Sequence, residues 1–228
     1  MIRIIILGLL LTSSASTAQV YPDSVLRDSR YLEDQFYIGL TYNFLVDKSE
    51  SINQRNLSYG LQAGIIKDIP INQNRTTAFG IGVGYGVYSY YSNLRAVETI
   101  SAVDYNIITD TDSLRRNKVE THMLEVPLQF RWRNSNAVDY KFWRIYAGVK
   151  LGYVLGGRSK YVSENSKASF YNPDIRKFQY GLTFDFGYNT FNLHAYYALN
   201  RLFEGGTTVE GTEIELKPLR IGLIFYIL

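Results

Sequence analysis

Phe36, Ile38, Leu40, Tyr42 and Phe44 alternate with Tyr37, Gly39, Thr41 and Asn43, and this period of two returns in seven further stretches of the chain. Successive side chains leave a strand on opposite sides, so the period describes pleated strands with one apolar face. Leu57, Tyr59, Leu61, Ala63 and Ile65 oppose Ser58, Gly60, Gln62 and Gly64, and Phe79, Ile81, Val83, Tyr85 and Val87 oppose Gly80, Gly82, Gly84 and Gly86. The second face is therefore small or polar. A soluble sandwich would bury its apolar face against a second sheet; a membrane barrel turns that face to lipid and fills a narrow interior with the other.

The N-terminus bears on compartment. Arg3, the apolar run Ile4 to Leu11 and the small residues ending Ser16-Thr17-Ala18 fit a secretory signal peptide cleaved before Gln19. Residues 1–18 are expected to be removed, 19–35 to form a polar periplasmic arm and 36–228 to form the barrel. The apolar run is shorter than the ~20 residues of a spanning helix, and no later stretch is apolar over that length, so any membrane spans are strands. The chain has no cysteine, which excludes a lipid anchor on an N-terminal cysteine, a disulfide framework and a Cys-based zinc site. Basic residues number 24 against 21 acidic ones, and the leader carries only Arg3, a balance that argues against a nucleic-acid binder. No cofactor is expected. With 20 Tyr, 12 Phe and only 5 Pro, the composition favours pleated surfaces.

Hairpin registers can be read by matching apolar faces. The fourth and fifth spans align if Trp132 lies opposite Trp143, Phe130 opposite Ile145, Leu128 opposite Ala147, Val126 opposite Val149 and Leu124 opposite Leu151. That register sets Glu125 opposite Lys150 and Gln129 opposite Tyr146. Around Asn189-Thr190, Tyr188 meets Phe191, Phe186 meets Leu193, Phe184 meets Ala195 and Leu182 meets Tyr197. On the inner face Asp185 meets His194, and Gln179 meets Asn200. The last span carries Leu219, Ile221, Leu223, Phe225 and Ile227 on one face and Arg220 and Gly222 on the other; apolar residues on both faces at its very end leave the parity there open. Connections near Lys67 to Arg75, Arg133 to Lys141 and Asn189 to Thr190 are short. Those near Val46 to Asn56, Ser92 to Lys118, Gly157 to Ile175 and Arg201 to Glu215 are longer and polar. The expected fold is all-β: an eight-stranded antiparallel up-and-down transmembrane β-barrel, with short periplasmic turns, longer extracellular loops and both termini periplasmic.

The segment Leu124-Glu125-Val126-Pro127-Leu128-Gln129-Phe130-Arg131-Trp132 resembles a strand of small outer-membrane barrels from Bacteroidota, the PorT-like or outer membrane protein beta-barrel family. The Gly-alternating strand Phe79 to Tyr85, the strand Ile145 to Tyr153 and the ending Ile221 to Leu228 add to the resemblance, which covers roughly the whole mature chain. It implies a shared barrel more than a shared activity. Its namesake's link to type IX secretion makes protein secretion one expected setting.

Glu125, Arg131, Lys150, Asp185, His194 and Arg220 project inward by parity and are expected to form a salt-bridged interior network, since confined charge must be paired or hydrated. The functional alternative is a proton-linked or ligand-gated path, with His194 beside Asp185 as a switch near neutral pH. Gly80, Gly82, Gly84 and Gly86 lie inside a strand with no helix following, so they read as interior spacing and not as a nucleotide loop. Trp132, Trp143, Tyr188 and Phe191 are expected to form an aromatic girdle beside the short turns, and Tyr88, Tyr90, Tyr91, Tyr153, Tyr161 and Tyr171 an outer one. His122, at the outer end of the fourth span, faces lipid opposite Tyr153. A lipid-modifying enzyme would need it beside a serine, and the nearest candidates, Ser113 and Ser163, lie in loops. The preferred function is a non-enzymatic component of an outer-membrane assembly, in secretion or membrane biogenesis, with outer-membrane lipid and an outer-membrane protein complex as the expected partners. The alternatives are a lipid-modifying enzyme and a transporter of a small or hydrophobic ligand.

Overall fold

Alternation becomes a closed sheet in the computed structural model, which describes residues 35–54, 56–109, 114–134, 143–189 and 191–227. The leader, all of the arm except Gln35, Ser113 and most of the turn from Arg133 to Lys141 lie outside those residues. The described strands, in chain order, are β1 (Gln35–Val46), β2 (Tyr59–Pro70), β3 (Thr77–Tyr91), β4 (Leu94–Glu98), β5 (Val103–Ile107), β6 (Leu114–Arg133), β7 (Trp143–Ser163), β8 (Lys167–Tyr171), β9 (Phe178–Tyr188), β10 (Phe191–Ala198), β11 (Thr208–Val209), β12 (Thr212–Glu213) and β13 (Lys217–Ile227). Eight of them pair antiparallel in the order β1, β2, β3, β6, β7, β9, β10, β13, and β13 pairs back to β1. Closure leaves no free sheet edge, and the interior is too narrow to be anything but filled by side chains.

Face assignment follows the sequence pattern. Phe36, Ile38, Leu40, Leu61, Ile65, Phe79, Ile81 and Phe130 are exposed on the outer wall, while Thr41, Asn43, Gln62, Glu125, Asp185 and Arg220 are buried inside. The parity of β13, open from the sequence, holds to the end: Ile224 and Tyr226 are buried and Ile227 is exposed. The interior glycines make room for tyrosines. A Cβ at Gly84 would lie 2.0 Å from the Tyr37 hydroxyl, and one at Gly60 or Gly86 would lie 2.5 Å from the Tyr88 ring.

The sequence reading needs four corrections. Trp132 lies opposite Ile145, Phe130 opposite Ala147, Leu128 opposite Val149 and Leu124 opposite Tyr153. The fourth-to-fifth hairpin is thus slipped by two residues from the face-matched register. A slip of two preserves every residue's face, so matching faces cannot detect it. Lys150 is consequently opposite Pro127 and Tyr146 opposite Arg131. The hairpin of β9 and β10 does keep the expected pairs from Phe191 with Tyr188 to Tyr197 with Leu182, but its ladder ends at Ala198 with Gly181. Asn200 there bonds the backbone of Tyr180 and Phe178 instead of meeting Gln179 inside.

Strand ends are the second correction. β2 runs to Pro70, which puts Asp68 inside the barrel and not in a turn. β1 begins at Gln35, the last residue assigned to the arm, and its side chain is buried. The third concerns the loops, because β6 and β7 continue as one ladder up to Leu114 opposite Ser163, through residues read as loop, and β8 adds to β7 there. The fourth is that Tyr88 and Tyr90 belong to no outer girdle: they share parity with the glycines of β3 and point into the lumen, buried.

Close approach at Gly148 yields a prediction. A Cβ there would sit 2.0 Å from the Leu128 carbonyl oxygen and 2.8 Å from the Gln129 Cα, backbone atoms that cannot swing aside. Gly148→Val should destabilise the barrel by at least about 2 kcal/mol, read as a lower urea midpoint in lipid vesicles. Gly156→Ala, whose nearest foreign atom would be 3.7 Å away, should leave the midpoint unchanged.

Candidate functional site

β6 runs the length of the barrel, and its inward residues Met123, Glu125, Gln129, Arg131 and Arg133 organise three tiers of side chains across the lumen. Nearest the long-loop end, Glu125 receives Lys150 at 3.2 Å, Arg220 at 3.5 Å and the Tyr88 hydroxyl at 2.8 Å. Lys150 also donates to Gln62 at 2.5 Å, and Arg220 donates to the Tyr90 hydroxyl at 3.0 Å with its guanidinium 3.4 Å from the Tyr88 ring centroid. A carboxylate taken out of water needs several compensating partners, and this one has two cations and a phenol hydroxyl.

The middle tier is built on Asp185. It pairs with His194 directly opposite and accepts from Tyr226 at 2.7 Å and Gln129 at 3.0 Å. Towards the short turns, Asp68 accepts from Arg131 and, at 2.5 Å, from Arg133, while Arg131 also donates to Gln35 and lies over the Tyr146 ring at 3.9 Å. The structure thus places the six interior charges expected from sequence in three groups: Glu125 with Lys150 and Arg220, Asp185 with His194, and Arg131 with none of the other five. The sequence reading missed Asp68, Arg133, Tyr88 and Tyr90. Carrying the alternation of β2 past Ile65 and that of β3 past Val87 would have found three of them.

Above these tiers the long connections fold over the mouth. Leu45, Ile52, Tyr88, Tyr90, Leu94, Val119, Met123, Val154, Ile175, Leu202, Phe203, Ile214 and Leu216 form one buried apolar cluster. The cap is pinned by polar bonds: Asn117 donates to the backbone oxygens of Ser92 and Leu94, Asn172 donates to Ser159 at 2.9 Å, and Arg176 pairs with Glu204 at 3.5 Å. Burial pushes the Tyr105 phenol well up from its ordinary range. Among the described residues no cluster of His, Cys, Asp or Glu is arranged to hold a metal.

On the outer wall, Trp143 stacks on Phe186 at 5.4 Å and packs against Tyr188 at 5.2 Å, and Phe191 sits edge-on to Phe225. Trp132 is exposed at the same end, opposite Thr77 and Ile145. His122 faces outward as expected, but opposite Gly156 and not Tyr153. Its Nδ1 shares a 2.7 Å hydrogen bond with the Tyr85 hydroxyl, and its Nε2 is 3.8 Å from Glu120. No serine is among its partners within the described residues, and Ser163 lies far along the ladder, opposite Leu114.

Solved structures give a likeness at the level of overall pattern. The attachment invasion locus protein Ail of Yersinia pestis is 13% identical, with 85% of this chain and 97% of that chain covered and a TM-score of 0.36. Ail in complex with the heparin analogue sucrose octasulfate is 11% identical over the same shares, with the same TM-score. A triple mutant of the Rhodopseudomonas blastica porin is 10% identical, covering 86% of this chain and all of that one, with a TM-score of 0.22. No curated protein matches the chain. The sequence profile of the outer membrane protein beta-barrel domain matches residues 17–204, which run from before β1 into the connection after β10, and the chain belongs to that outer-membrane β-barrel family.

Proposed function

We propose that the chain is a non-enzymatic component of an outer-membrane assembly, of the PorT-like kind that serves secretion or membrane biogenesis, and that it works through its exposed surfaces. The observation that carries this reading is the filled lumen. Three tiers of bonded side chains cross the barrel and an apolar cluster covers its mouth, an arrangement that favours a scaffold over a conduit. In this reading the signal peptide is removed, the short turns and both termini lie in the periplasm, and the folded cap is presented outside. Partners are lipid and other outer-membrane proteins, and nucleic acid is not among them. The test is isolation from native membranes in mild detergent through a tag on the arm, followed by mass spectrometry. A companion protein in stoichiometric amount supports the reading; recovery of the barrel alone, or with lipid only, removes it.

One observation favours a second reading. Tyr85 and Glu120 flank the His122 imidazole on the outward wall, the orientation a general base in a lipid-modifying enzyme would need. His122→Ala should leave membrane lipid composition unchanged if the scaffold reading holds; an altered lipid A profile would favour the enzyme.

A further inference from the structure

Past the apolar wall, the outward face of the β6–β7–β8 ladder turns basic. Residues directly opposite one another share a face. Arg116 is opposite Val162, Lys118 opposite Lys160 and Glu120 opposite Arg158, and β8 brings Lys167 opposite Val162. Arg116, Arg158, Lys160 and Lys167 therefore lie together around Lys118, which is itself buried, with Glu120 the one carboxylate among the paired residues of this face. Lys118 opposite Lys160 is a like-charged cross-strand pair, which by itself destabilises a sheet. Glu120 is already engaged by Lys118 and by the Ser89 hydroxyl at 3.1 Å. Arg116, Arg158, Lys160 and Lys167 make no ion pair among the described residues.

The height of this ledge says what meets it. The outward residues are apolar from Trp132 and Trp143 at one end to Leu124, Tyr153 and Leu155 at the other. From Trp132 to His122, at roughly 2.6 Å of height per residue of a tilted strand, the wall rises about 26 Å, close to the ~25 Å apolar band of an outer-membrane barrel. Glu120, Lys118 and Arg158 follow immediately, at the level of lipid headgroups. Aromatic rings mark the same level: the Lys118 ammonium lies 5.5 Å from the Tyr91 ring and 5.9 Å from that of Tyr59, and Arg158 lies 4.6 Å over Tyr171. The reverse face of the ladder is held by the cap, with Val119 and Val154 in its apolar cluster, so the cations stand on a fixed surface.

We infer that this ledge binds the phosphate groups of outer-leaflet lipid, whose acyl chains lie along Leu124, Tyr153 and Leu155 below. Guanidinium forks and ammonium groups suit phosphate oxygens, and continuity with the apolar wall selects a lipid over a soluble anion. The inference rests on the orientation proposed above, long loops outward. Its test uses the full chain in neutral detergent micelles, titrated with diphosphoryl lipid A, with fully dephosphorylated lipid A and with inorganic phosphate. Diphosphoryl lipid A should bind at least about tenfold tighter than either of the other two. Arg158→Glu with Lys160→Glu should weaken it about tenfold or more, whereas Glu120→Gln should tighten it, a gain that simple damage to the barrel does not produce. Lys48→Glu, in the connection after β1, should change nothing. Barrel folding is checked in each case by heat-modifiable migration on a gel. Unchanged affinity in the folded double variant, or inorganic phosphate binding as tightly as the lipid, overturns the proposal. Orientation is read separately. The chain has no cysteine, so Lys167→Cys in intact cells reports by a membrane-impermeant maleimide whether the ledge is outside; absence of labelling removes the orientation, whatever the binding assay returns.

Discussion

Asp68→Asn should cost the barrel about 3–5 kcal/mol, the range found when a buried ion pair loses one partner. Asp68 is fully buried and its two carboxylate oxygens take one guanidinium each, from Arg131 and Arg133. Asparagine keeps the shape but removes the charge, leaving two cations enclosed at the short-turn end of the lumen. Equilibrium unfolding in urea, with the barrel in lipid vesicles, reads the loss. The comparison is Asp47→Asn, which removes the partner of Lys217 at 2.8 Å on the solvated rim and should cost far less. A loss at Asp68 no larger than that at Asp47 would falsify the account of the lower tier.

The second large effect concerns Glu125 and Lys150. Viewed as an isolated cross-strand pair, the two could be exchanged, and the doubly exchanged protein would recover most of what either single change loses. Three-dimensional geometry reverses that expectation. Glu125 also carries Arg220 at 3.5 Å and Tyr88 at 2.8 Å, so a lysine at 125 would stand against Arg220 with no carboxylate between them. Glu125→Lys with Lys150→Glu should remain at least about 3 kcal/mol less stable than the parent protein. Glu125→Gln should also lose about that much, because two cations then share a neutral amide. Recovery of the parent urea midpoint by the exchanged pair would show that Arg220 takes no part in the tier.

Much of the barrel is legible in the chain because alternation is local. Whether Leu61 faces out and Gln62 faces in depends on neighbours one and two residues away, and the same alternation recurs strand after strand. The tight connection around Asn189, whose φ of 55° suits asparagine in a two-residue hairpin, fixes the pairing of Asp185 with His194. Nine residues separate the end of β6 from the start of β7, too many for a two-residue turn to set their register. Their true register differs from the face-matched one by two residues, a slip that leaves the apolar pattern intact and therefore leaves no mark in it.

Tertiary structure alone decided the contacts that cross the lumen between strands distant in sequence. Arg220 reaches Tyr90 across 130 residues of chain, Arg131 reaches Gln35 across 96, and no periodicity of two contains that information. The same is true of the cap. Ile52, Leu94, Ile175, Phe203 and Ile214 come from four different connections, each polar enough to read as loop, and they acquire a common core only when the closed sheet brings the connections to one rim. Inside and outside are set by each strand's own pattern; what fills the inside is set by which strands the closed ring makes neighbours, because a side chain at the barrel axis is satisfied by groups from across the lumen as much as from its own sheet neighbours.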